Sequence, residues 1–595
     1  MSEKIIRVGG ACGYWGESAM ATPQFLDAGG LDYIVYDYLA EITMSIMARA
    51  RAKDPEAGYA RDFISAVLEP NLPEIAAQGV KIISNAGGVN PRACGEAARA
   101  LIADAGLDLK VAVVLGDDLI DRKDQFSATE MYSGDGFPDP SKLASINAYL
   151  GAFPIARALA KRADIVITGR SVDSAVTLGA CIHEFGWRPD DWDRLAGGTL
   201  AGHILECGPQ TTGGNHTDWQ LVVENIDTIG YPIGEISADG GFDVVKPSGT
   251  GGMVTVGTVS EQMLYEIGDP QAYIVPDVVC DFSGVKITQV ADDRVNVSGI
   301  RGYPATDTYK VSATYADGFR GGAFRTFYGV DADKKAEGYA RASFNRARTA
   351  LRASNLGDFT ETSVEVIGAE SQFGDARRID GSREVVLKFA AKHPEAAGIG
   401  ILLKEATGLG LASPPGLSGF TGIGAKPSPV VRLFSFLIPK TDLAIRIDFG
   451  DEDIAFEPVA TETFDSGAIR RPDPPSAAAD NEDMIEVPLI DLAWGRSGDK
   501  GDKANVGIIA RKAEYLPYIW STLSEDIVTG RFSHFLDGDT ERFLLPGANA
   551  INFLMHEVLG GGGVASLRND AQGKGYAQIL LDHPIAIPQD MAENL

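Results

Sequence analysis

The sequence predicts an α/β protein of several domains: an open, mostly parallel sheet in residues 1–230, an α+β extension in 231–465, and a small α+β domain in 484–595. Three observations support this fold class. Short apolar runs alternate with helix-length segments in the first region, period-two patterns with glycine turns dominate the second, and a compact segment follows a proline-rich stretch. A chain of 595 residues has room for roughly three to four domains.

The parallel sheet of the first region is predicted from five β-rich apolar runs, most of them flanked by glycine or charged residues. Such runs are typical of strands that are buried on both faces. They occupy residues 5–10, 32–39, 81–88, 110–118 and 164–170. Residues 91–106 start with proline and end with glycine, which predicts one of the helices between the strands.

Antiparallel hairpins are predicted in the second region. The stretches DRVNVSGIRGY and DTYKVSATYADGFRGGAFRTFYGV alternate apolar and polar residues and contain Asp-Gly and Gly-Gly pairs, which favour tight turns. Residues 334–355 have the amphipathic pattern of one helix with basic exposed positions. The pattern leaves open whether this region is a unit of its own or continues the first.

Residues 466–483 are polar and rich in proline, lack periodicity, and therefore predict a linker. After the linker, the pattern predicts two strands, a helix at 513–528, a short strand at 542–546, a helix at 549–560 and a strand at 576–585. Two helices on one face of a small antiparallel sheet are the simplest packing of these elements, as in ferredoxin-like folds.

Charge and cysteine content exclude several classes of protein. Acidic residues outnumber basic ones by 82 to 53, which gives a net charge of −29 and a pI near 4.6. Because such a surface repels nucleic acids and anionic membranes, we expect neither as a partner. The first residues lack a signal-peptide pattern, and no apolar run reaches the roughly 20 residues of a membrane span. Five widely spaced cysteines predict a reducing compartment, the cytoplasm, and no disulfide framework.

A ligand site is expected where loops follow the carboxyl ends of the parallel strands. Two of these loops are rich in glycine, and backbone N–H groups at the start of a helix can bind an anion. The glycines predicted to do so are Gly10, Gly13, Gly87 and Gly88. Their alternative role is to make tight strand-to-helix turns, since the loops match neither G-x-G-x-x-G nor a Walker motif.

Arg170 follows the last predicted parallel strand, in the loop TGRSVDS. At a strand end in an acidic protein, a guanidinium can bind a carboxylate or phosphate through two hydrogen bonds. The sequence therefore predicts an anion-binding role for Arg170. The alternative is a structural ion pair.

Possible catalytic groups are densest in residues 197–219. His203 and Glu206 are three positions apart, so they share a face if this segment is a helix, and they can transfer a proton as a pair. His216 and Asp218 are a second possible pair. A weaker alternative is a metal site made by His203, His216 and Asp218, although no H-E-x-x-H motif is present. The remaining alternative is a polar loop packed against the sheet.

The stretch GRSGDKGDKAN, residues 495–505, joins two apolar runs and predicts a long charged bend, where a hairpin needs about two to five residues. The candidates for anion binding there are Arg496, Lys500, Lys503 and Asn505. Asp499 and Asp502 are candidates to hold the lysines or to act as a base. The alternative is a solvated turn with weak salt bridges. We expect the bend to face the N-terminal crevice, because a tethered small domain can close a site between domains.

Five motifs together resemble the AtuA-like family of acyclic terpene utilisation proteins, over nearly the whole chain. They are VGGACGYWGES, SNAGGVNP, TGRSVDSA with GACIHEFGW, GHILECGPQTTGGN, and WGRSGDKGDKANVGI. The resemblance implies a large N-terminal region and a ferredoxin-like C-terminal domain. It also implies a part in the breakdown of branched terpenoids such as citronellol and geraniol, through acyl-CoA thioesters. It transfers no catalytic residues.

These expectations combine into a cytoplasmic enzyme that acts on an anionic small molecule, an acyl-CoA or other carboxylate, by lyase or hydratase chemistry. CoA is expected as part of the substrate, and no separate cofactor is predicted. The catalytic candidates are His203, Glu206, Asp499 and Asp502. Exposed strands of the small domain favour a homo-oligomer. Two alternatives stay open: a metal-dependent hydrolase or lyase, and a non-catalytic subunit that binds acyl-CoA or a partner.

Overall fold

The computed structural model describes residues 4–17, 19–419, 425–458, 462–476, 483–563 and 565–595. The strands in these ranges are β1 (Ile5–Gly10), β2 (Tyr33–Tyr36), β3 (Lys81–Ser84), β4 (Val111–Leu115), β5 (Leu143–Ala148), β6 (Ile165–Thr168), β7 (Ile233–Ser237), β8 (Phe242–Val245), β9 (Tyr273–Val275), β10 (Val278–Asp281), β11 (Lys286–Ala291), β12 (Arg294–Ser298), β13 (Arg301–Tyr303), β14 (Thr308–Tyr328), β15 (Glu361–Ile367), β16 (Glu384–His393), β17 (Leu417–Ser418), β18 (Ser428–Pro439), β19 (Ile445–Asp448), β20 (Asp453–Phe456), β21 (Met484–Pro488), β22 (Ala493–Lys500), β23 (Lys503–Ala510), β24 (Thr540–Leu545), β25 (Ala550–Met555) and β26 (Pro584–Pro588).

The α-helices in the same ranges are α1 (Ala21–Ala28), α2 (Glu41–Lys53), α3 (Glu69–Gln78), α4 (Pro91–Asp104), α5 (Phe153–Ala160), α6 (Ala175–Phe185), α7 (Trp192–Leu205), α8 (Val256–Leu264), α9 (Ala332–Ala353), α10 (Ala396–Gly408), α11 (Leu489–Leu492), α12 (Leu516–Thr522), α13 (Glu525–Arg531), α14 (Tyr576–Leu581) and α15 (Gln589–Ala592). None of these helices is long and apolar enough to cross a membrane.

A mixed sheet of 11 strands organises the N-terminal part. Its centre is parallel, in the order β1-β2-β3-β6-β4, and the five predicted strands are confirmed. Side chains alternate along β2: Tyr33 and Val35 belong to the core on one face, and Ile34 and Tyr36 to the core on the other. Helices cover both faces, which explains why these strands are apolar throughout.

Antiparallel strands extend this sheet on both sides. β7 pairs with β1, with Ser237 opposite Ile5, and β8, β12 and β11 follow outward. On the other side β19 pairs with β4, and β20 forms the edge. All six added strands come from residues 231–465. The first two regions of the sequence therefore share one sheet.

A second sheet is built around the 21-residue strand β14. Its first half pairs with β5 and β18, and its second half with β16 and β17. α9 and α10 pack on the second half, around a core that includes Phe327, Tyr339 and Phe389. The amphipathic helix predicted at 334–355 is confirmed as α9.

The C-terminal domain contains a four-stranded antiparallel sheet, in the order β22-β23-β25-β24, and the strand pair β21–β26. Two predictions here are wrong. Residues 549–560 form strand β25 where a helix was expected, and 576–585 begin with helix α14 where a strand was expected. Because β25 is apolar and buried along its length between two neighbouring strands, its sequence pattern does not distinguish it from a buried helix. The helix predicted at 513–528 is broken into α12 and α13, since Ser524 caps the second helix by accepting the N–H of Ile527.

The long bend predicted at 495–505 is also wrong. Most of this stretch extends β22 and β23, which stay paired as far as Lys500 and Lys503, so the turn contains only Gly501 and Asp502. Gly501 has a φ of 68°, a conformation that costs glycine little. The charges therefore lie along two paired strands and not in a loose loop.

The predicted linker at 466–483 is described in part. A 3-10 turn starts at Ser466, and Arg471 donates to both carboxylate oxygens of Asp269 at 2.6 Å. Residues 477–482 lie outside the described ranges. The described part of this segment is thus attached to the N-terminal part.

Candidate active site

Three polar side chains follow the carboxyl ends of neighbouring parallel strands: Asp37 after β2, Asn85 after β3 and Arg170 after β6. Asn85 Nδ2 donates a hydrogen bond to Asp37 Oδ1. Burial raises the pKa of Asp37, and the nearby carboxylates of Asp173 and Glu206 raise it further. Asp37 therefore keeps its proton to a higher pH than an ordinary aspartate.

Arg170 is only 3% exposed and donates to Leu39 O and Asp173 Oδ1, both at 2.7 Å. Its guanidinium carbon lies 4.2 Å from the centre of the Tyr149 ring. The structure thus contains the ion pair that the sequence left as an alternative. Arg170 Nε has no hydrogen-bond partner among the described residues, so one donor stays available to a ligand or water.

His203 and Glu206 form a buried pair at the carboxyl end of α7. His203 Nδ1 lies 2.9 Å from Glu206 Oε1, as the spacing of three residues predicts. Burial raises the pKa of Glu206, and the charges of His203 and Lys500 offset part of this increase. A carboxylate with a raised pKa, in contact with an imidazole, is suited to take up and release a proton.

Unpaired polar atoms gather around this His203–Glu206 dyad. Within the described part of the chain, His203 Nε2 and Glu206 Oε2 have no hydrogen-bond partner, and the same holds for the neighbouring atoms Ser174 Oγ and Gln262 Oε1. Folded proteins retain few buried polar atoms of this kind, because each costs about 1–3 kcal/mol. Their concentration at one place marks a site where a ligand or water completes the hydrogen bonds.

Lys500, at the end of β22, brings the C-terminal domain to this site. Its side chain is 42% exposed, and its Nζ lies 3.6 Å from Glu266 Oε2. Burial by the surrounding protein acts to lower the pKa of Lys500, but the negative charges of Glu266, Asp173 and Glu206 outweigh it and raise the pKa. The ammonium therefore stays charged, and its charge acts on Glu206 of the dyad from the other domain.

Lys574, Glu266 and Asp499 form a charged cluster beside Lys500. Lys574 Nζ donates to Glu266 Oε1 at 2.7 Å and to Asp499 Oδ1 at 2.9 Å. Although burial acts to raise it, the pKa of Glu266 is lowered to about 2 by Lys574 and Lys500. Burial and the charge of Glu266 raise the pKa of Asp499 to about 6. Asp499 is thus placed to hold Lys574 and titrates near neutral pH.

The other predicted residues of the hairpin make structural contacts. Arg496 donates to Asn215 O at 3.1 Å, and Asn505 Nδ2 donates to Leu264 O at 2.6 Å, so both bind the N-terminal part. Asp502 Oδ1 accepts three backbone N–H groups of the segment 559–562. Lys503 Nζ lies 4.7 Å from the centre of the Tyr132 ring. Each of these four side chains therefore has a structural contact, while Arg496 Nε and Asn505 Oδ1 have no hydrogen-bond partner among the described residues.

The glycines predicted to bind an anion have their N–H groups occupied. Gly10 donates to Pro232 O, Gly13 to Glu17 Oε2, Gly87 to Thr168 O and Gly88 to Asn85 O, at 2.6–3.3 Å. Packing explains the choice of glycine: a Cβ on Gly10 would lie 2.3 Å from Leu205 O, at the end of α7. Glycine at position 10 therefore lets the helix carrying the dyad approach the sheet.

His216 and Asp218 bind partners other than His203 and Glu206. His216 Nδ1 lies 2.7 Å from Glu261 Oε2, while Asp218 pairs with Arg511. The structure therefore does not gather His203, His216 and Asp218 as metal ligands. Across the described ranges, no group of three or more His, Cys, Asp or Glu side chains is arranged to hold a metal ion.

Sequence reasoning missed several residues of the cleft. Asp37 was detectable, because it directly follows a predicted buried strand, as Arg170 does. Glu41, Lys310, Glu266 and Lys574 had no such signal, since each is an isolated charge in a segment without a motif. Lys310 Nζ lies 3.9 Å from Glu41 Oε1, so segments more than 250 residues apart in the chain meet here.

Two family models match the chain. The model described as acyclic terpene utilisation family protein AtuA matches residues 6–449, about three quarters of the sequence. The chain belongs to this AtuA family. The model of the AtuA ferredoxin-like domain matches residues 487–586, which confirms the fold predicted for the C-terminal domain. No curated protein and no solved structure matches the chain.

In this AtuA-family chain, the glycine-rich motif of the C-terminal hairpin permits close packing. A Cβ on Gly498 would lie 2.5 Å from Glu266 Cγ, and one on Gly507 would lie 2.6 Å from Leu264 Cβ. Glycine at both positions lets the hairpin rest on the end of α8. That contact holds Lys500 beside Glu266, with its Nζ 3.6 Å from Glu266 Oε2.

Proposed function

We propose that this AtuA-family chain is an enzyme of acyclic terpenoid breakdown that acts on a branched acyl-CoA thioester by a lyase or hydratase step. The proposed site is a cleft between the end of α7 and the C-terminal hairpin. The observation that supports it best is the buried pair of His203 and Glu206, which has unpaired polar atoms and on which the charge of Lys500 acts from the other domain. A proton-transfer pair beside a fixed cation is what enolate chemistry requires.

Hydration and carbon–carbon cleavage next to a thioester share one demand. In both, negative charge develops on the thioester oxygen as an enolate, and a proton moves to or from carbon or oxygen of the acyl group. In the proposed arrangement, the dyad of His203 and Glu206 moves that proton. The Lys500 ammonium stabilises the enolate oxygen, and Asp37, whose pKa burial raises, is the nearby proton donor.

The cations of the cleft also suit an anionic substrate. Lys310 and Lys500 are close enough to affect each other's ionisation, and Lys500 acts to lower the pKa of Lys310. An anion bound between the two ammonium groups would relieve this repulsion. In a chain with a net charge of −29, such a pair is a local exception that favours a phosphate or carboxylate.

The test is turnover of branched 3-hydroxyacyl-CoA and enoyl-CoA esters by the purified full chain. We expect Glu206→Gln to lower kcat/KM at least about 100-fold, because a positioned general base contributes about 10²–10⁴-fold. Lys500→Met is expected to lower kcat/KM as well. The matched control is Lys512→Met, which changes an exposed lysine of the same domain and should leave kcat/KM unchanged.

Wild-type kcat/KM in Glu206→Gln would refute the role of the dyad. Tight binding of the esters without turnover would refute the enzyme and favour a non-catalytic acyl-CoA-binding subunit. Absence of both binding and turnover would refute the thioester substrate itself.

A further inference from the structure

A small cavity of about 10 Å³, room for about one water-sized group, lies beside Arg170. Its walls come from β5, β14, α2 and the loop after β6, and they include Glu41, Asn147, Tyr149 and Ser312. Glu41 Oε1, in the wall, lies 3.9 Å from Lys310 Nζ. Because the cavity is small and most of its lining side chains are polar, it does not suit the hydrocarbon chain of a terpenoid.

Three residues that line this cavity carry buried polar atoms with no hydrogen-bond partner in the described part of the chain. The atoms are Asn147 Oδ1, Ser312 Oγ and Arg170 Nε. Asn147 Nδ2 already donates to Asp117 Oδ2 at 2.8 Å, which fixes the amide so that its oxygen is the free atom. Two other lining hydroxyls, those of Ser145 and Thr314, satisfy each other at 2.6 Å.

The donor and acceptor capacity of these three free atoms determines which ligand group fits the cavity. Asn147 Oδ1 can only accept a hydrogen bond, Arg170 Nε can only donate one, and Ser312 Oγ can do either. A hydroxyl group, which both donates and accepts, can satisfy all three kinds of contact. A carboxylate has no proton to donate to Asn147.

Charge also disfavours a carboxylate in this cavity. Burial acts to raise the pKa of Glu41, but Lys310 and Arg170 outweigh it and lower the pKa to about 2, so Glu41 is ionised. Arg170 also pairs with Asp173, so two carboxylates balance the two cations and no excess of positive charge remains for a further anion. A neutral group with a donor and an acceptor therefore fits best.

We propose that this cavity is a subsite that binds a hydroxyl group of the substrate through Asn147, Ser312 and Arg170. The inference rests on the proposed function and narrows it: the substrate is a hydroxylated acyl thioester. Under this proposal, the hydroxyl lies under Arg170 while the carbons that react face the His203–Glu206 dyad. Arg170 then has two tasks, the ion pair with Asp173 and a hydrogen bond to the hydroxyl oxygen.

The test compares two esters that differ by one hydroxyl, 3-hydroxy-3-methylbutyryl-CoA and 3-methylbutyryl-CoA. Dissociation constants are measured by calorimetry on the full chain carrying Glu206→Gln, so that turnover does not disturb binding. We expect the hydroxylated ester to bind about tenfold more tightly, as one or two net hydrogen bonds allow. Adding Ser312→Ala should reduce this preference to about threefold or less. The matched control, Ser343→Ala, removes a buried hydroxyl of α9 outside the cavity and should leave the preference intact.

Equal affinity for the two esters, or a preference unchanged by Ser312→Ala, would overturn the hydroxyl subsite while leaving the acyl-CoA site in place. If neither ester binds, the thioester substrate of the proposed function fails. The same comparison is then made with 3-hydroxy-3-methylbutyrate and 3-methylbutyrate. A preference for the hydroxylated acid that Ser312→Ala removes would support the subsite alone, and the absence of one would overturn it.

Discussion

Asp218 accepts two hydrogen bonds from Arg511, at 2.7 and 2.6 Å, and a third from Trp494 at 2.7 Å. The aspartate follows α7 in the N-terminal part, and both donors belong to the C-terminal domain. At the same junction, Thr217 Oγ1 accepts the N–H of Gly495 at 3.0 Å. This interdomain contact holds the start of β22, whose far end carries the cation of the candidate active site.

Replacing Asp218 tests this contact. We expect Asp218→Ala to lower the free energy of unfolding by about 1–3 kcal/mol, because it removes three hydrogen bonds, two of them charge-assisted, at a partly buried site. Urea unfolding followed by circular dichroism measures the loss. The control is Asp453→Ala, since the pair of Asp453 with Arg446 is more exposed and should contribute less than about 1 kcal/mol. Equal losses in the two variants would contradict a stabilising role for the interdomain contact.

Close packing of the hairpin on α8 gives a second prediction. In Gly507→Ala the new Cβ would lie 2.6 Å from Leu264 Cβ, so the two domains must shift apart. We expect a loss of about 1–3 kcal/mol in the free energy of unfolding, as overpacking of a core does. Gly530→Ala is the control: it lies in α13 with no atom near the added methyl, and should be neutral or slightly stabilising. Thermal unfolding of the two variants measures the loss of stability. A neutral Gly507→Ala would contradict the packing explanation.

Asp499 makes stability depend on pH in a defined direction. Its pKa is raised from the ordinary 3.8 to about 6 in the folded chain, by burial and by Glu266. Between these values the folded chain holds a proton that the unfolded chain has released, so this group lowers stability as the pH rises from about 4 to 6. In Asp499→Asn this dependence disappears. The stability of the wild type relative to the variant should therefore fall by about 1–3 kcal/mol across that window and stay constant above about pH 7.

Urea unfolding at a series of pH values from 4.5 to 7.5 measures this difference. Asp453→Asn, at an exposed ion pair of β19 and β20, is the control and should show no change between pH 5 and 7. If the stability of the wild type relative to Asp499→Asn rises with pH instead, Lys574 stabilises the Asp499 carboxylate by more than burial destabilises it.

Removing the charge of Lys500 should shift the pH dependence of catalysis. Its positive charge acts to lower the pKa of Glu206, against the effect of burial. Removing that charge in Lys500→Met should therefore raise the pKa of Glu206 further, and the acidic limb of the kcat/KM profile should move to higher pH. The profile is measured on the best substrate of the acyl-CoA panel. Lys512→Met should leave the limb in place, and an unshifted limb in Lys500→Met would contradict the electrostatic contact between hairpin and dyad.

Local sequence patterns predicted much of the fold. The five parallel strands and α9 were predicted correctly, because each is a periodic apolar pattern of sufficient length with clear end signals. The elements at 549–560 and 576–585 were not, since short buried apolar runs satisfy a strand and a helix equally well. Their state depends on which neighbours are available, and β25 lies between two strands that supply its hydrogen bonds.

The candidate site was predicted to a smaller extent. The contact of His203 with Glu206 follows from spacing alone, because residues three apart on a helix are neighbours. The roles of Gly10 and Asp502 differ from expectation for a physical reason: their N–H or carboxylate groups bind nearby backbone, which the sequence does not reveal. Contacts with segments hundreds of residues away decide such cases.

The amino-acid sequence by itself determined the family and the parallel sheet, since these depend on motifs and on short-range periodicity. Only the tertiary structure decided that His203 and Glu206 lie at the end of a helix, that Lys500 and Lys574 pair with Glu266, and that Asn147 and Ser312 share a cavity. The last two of these relationships join residues far apart in the chain. They arise because the domains bury shared surface, and no local pattern encodes which surfaces meet.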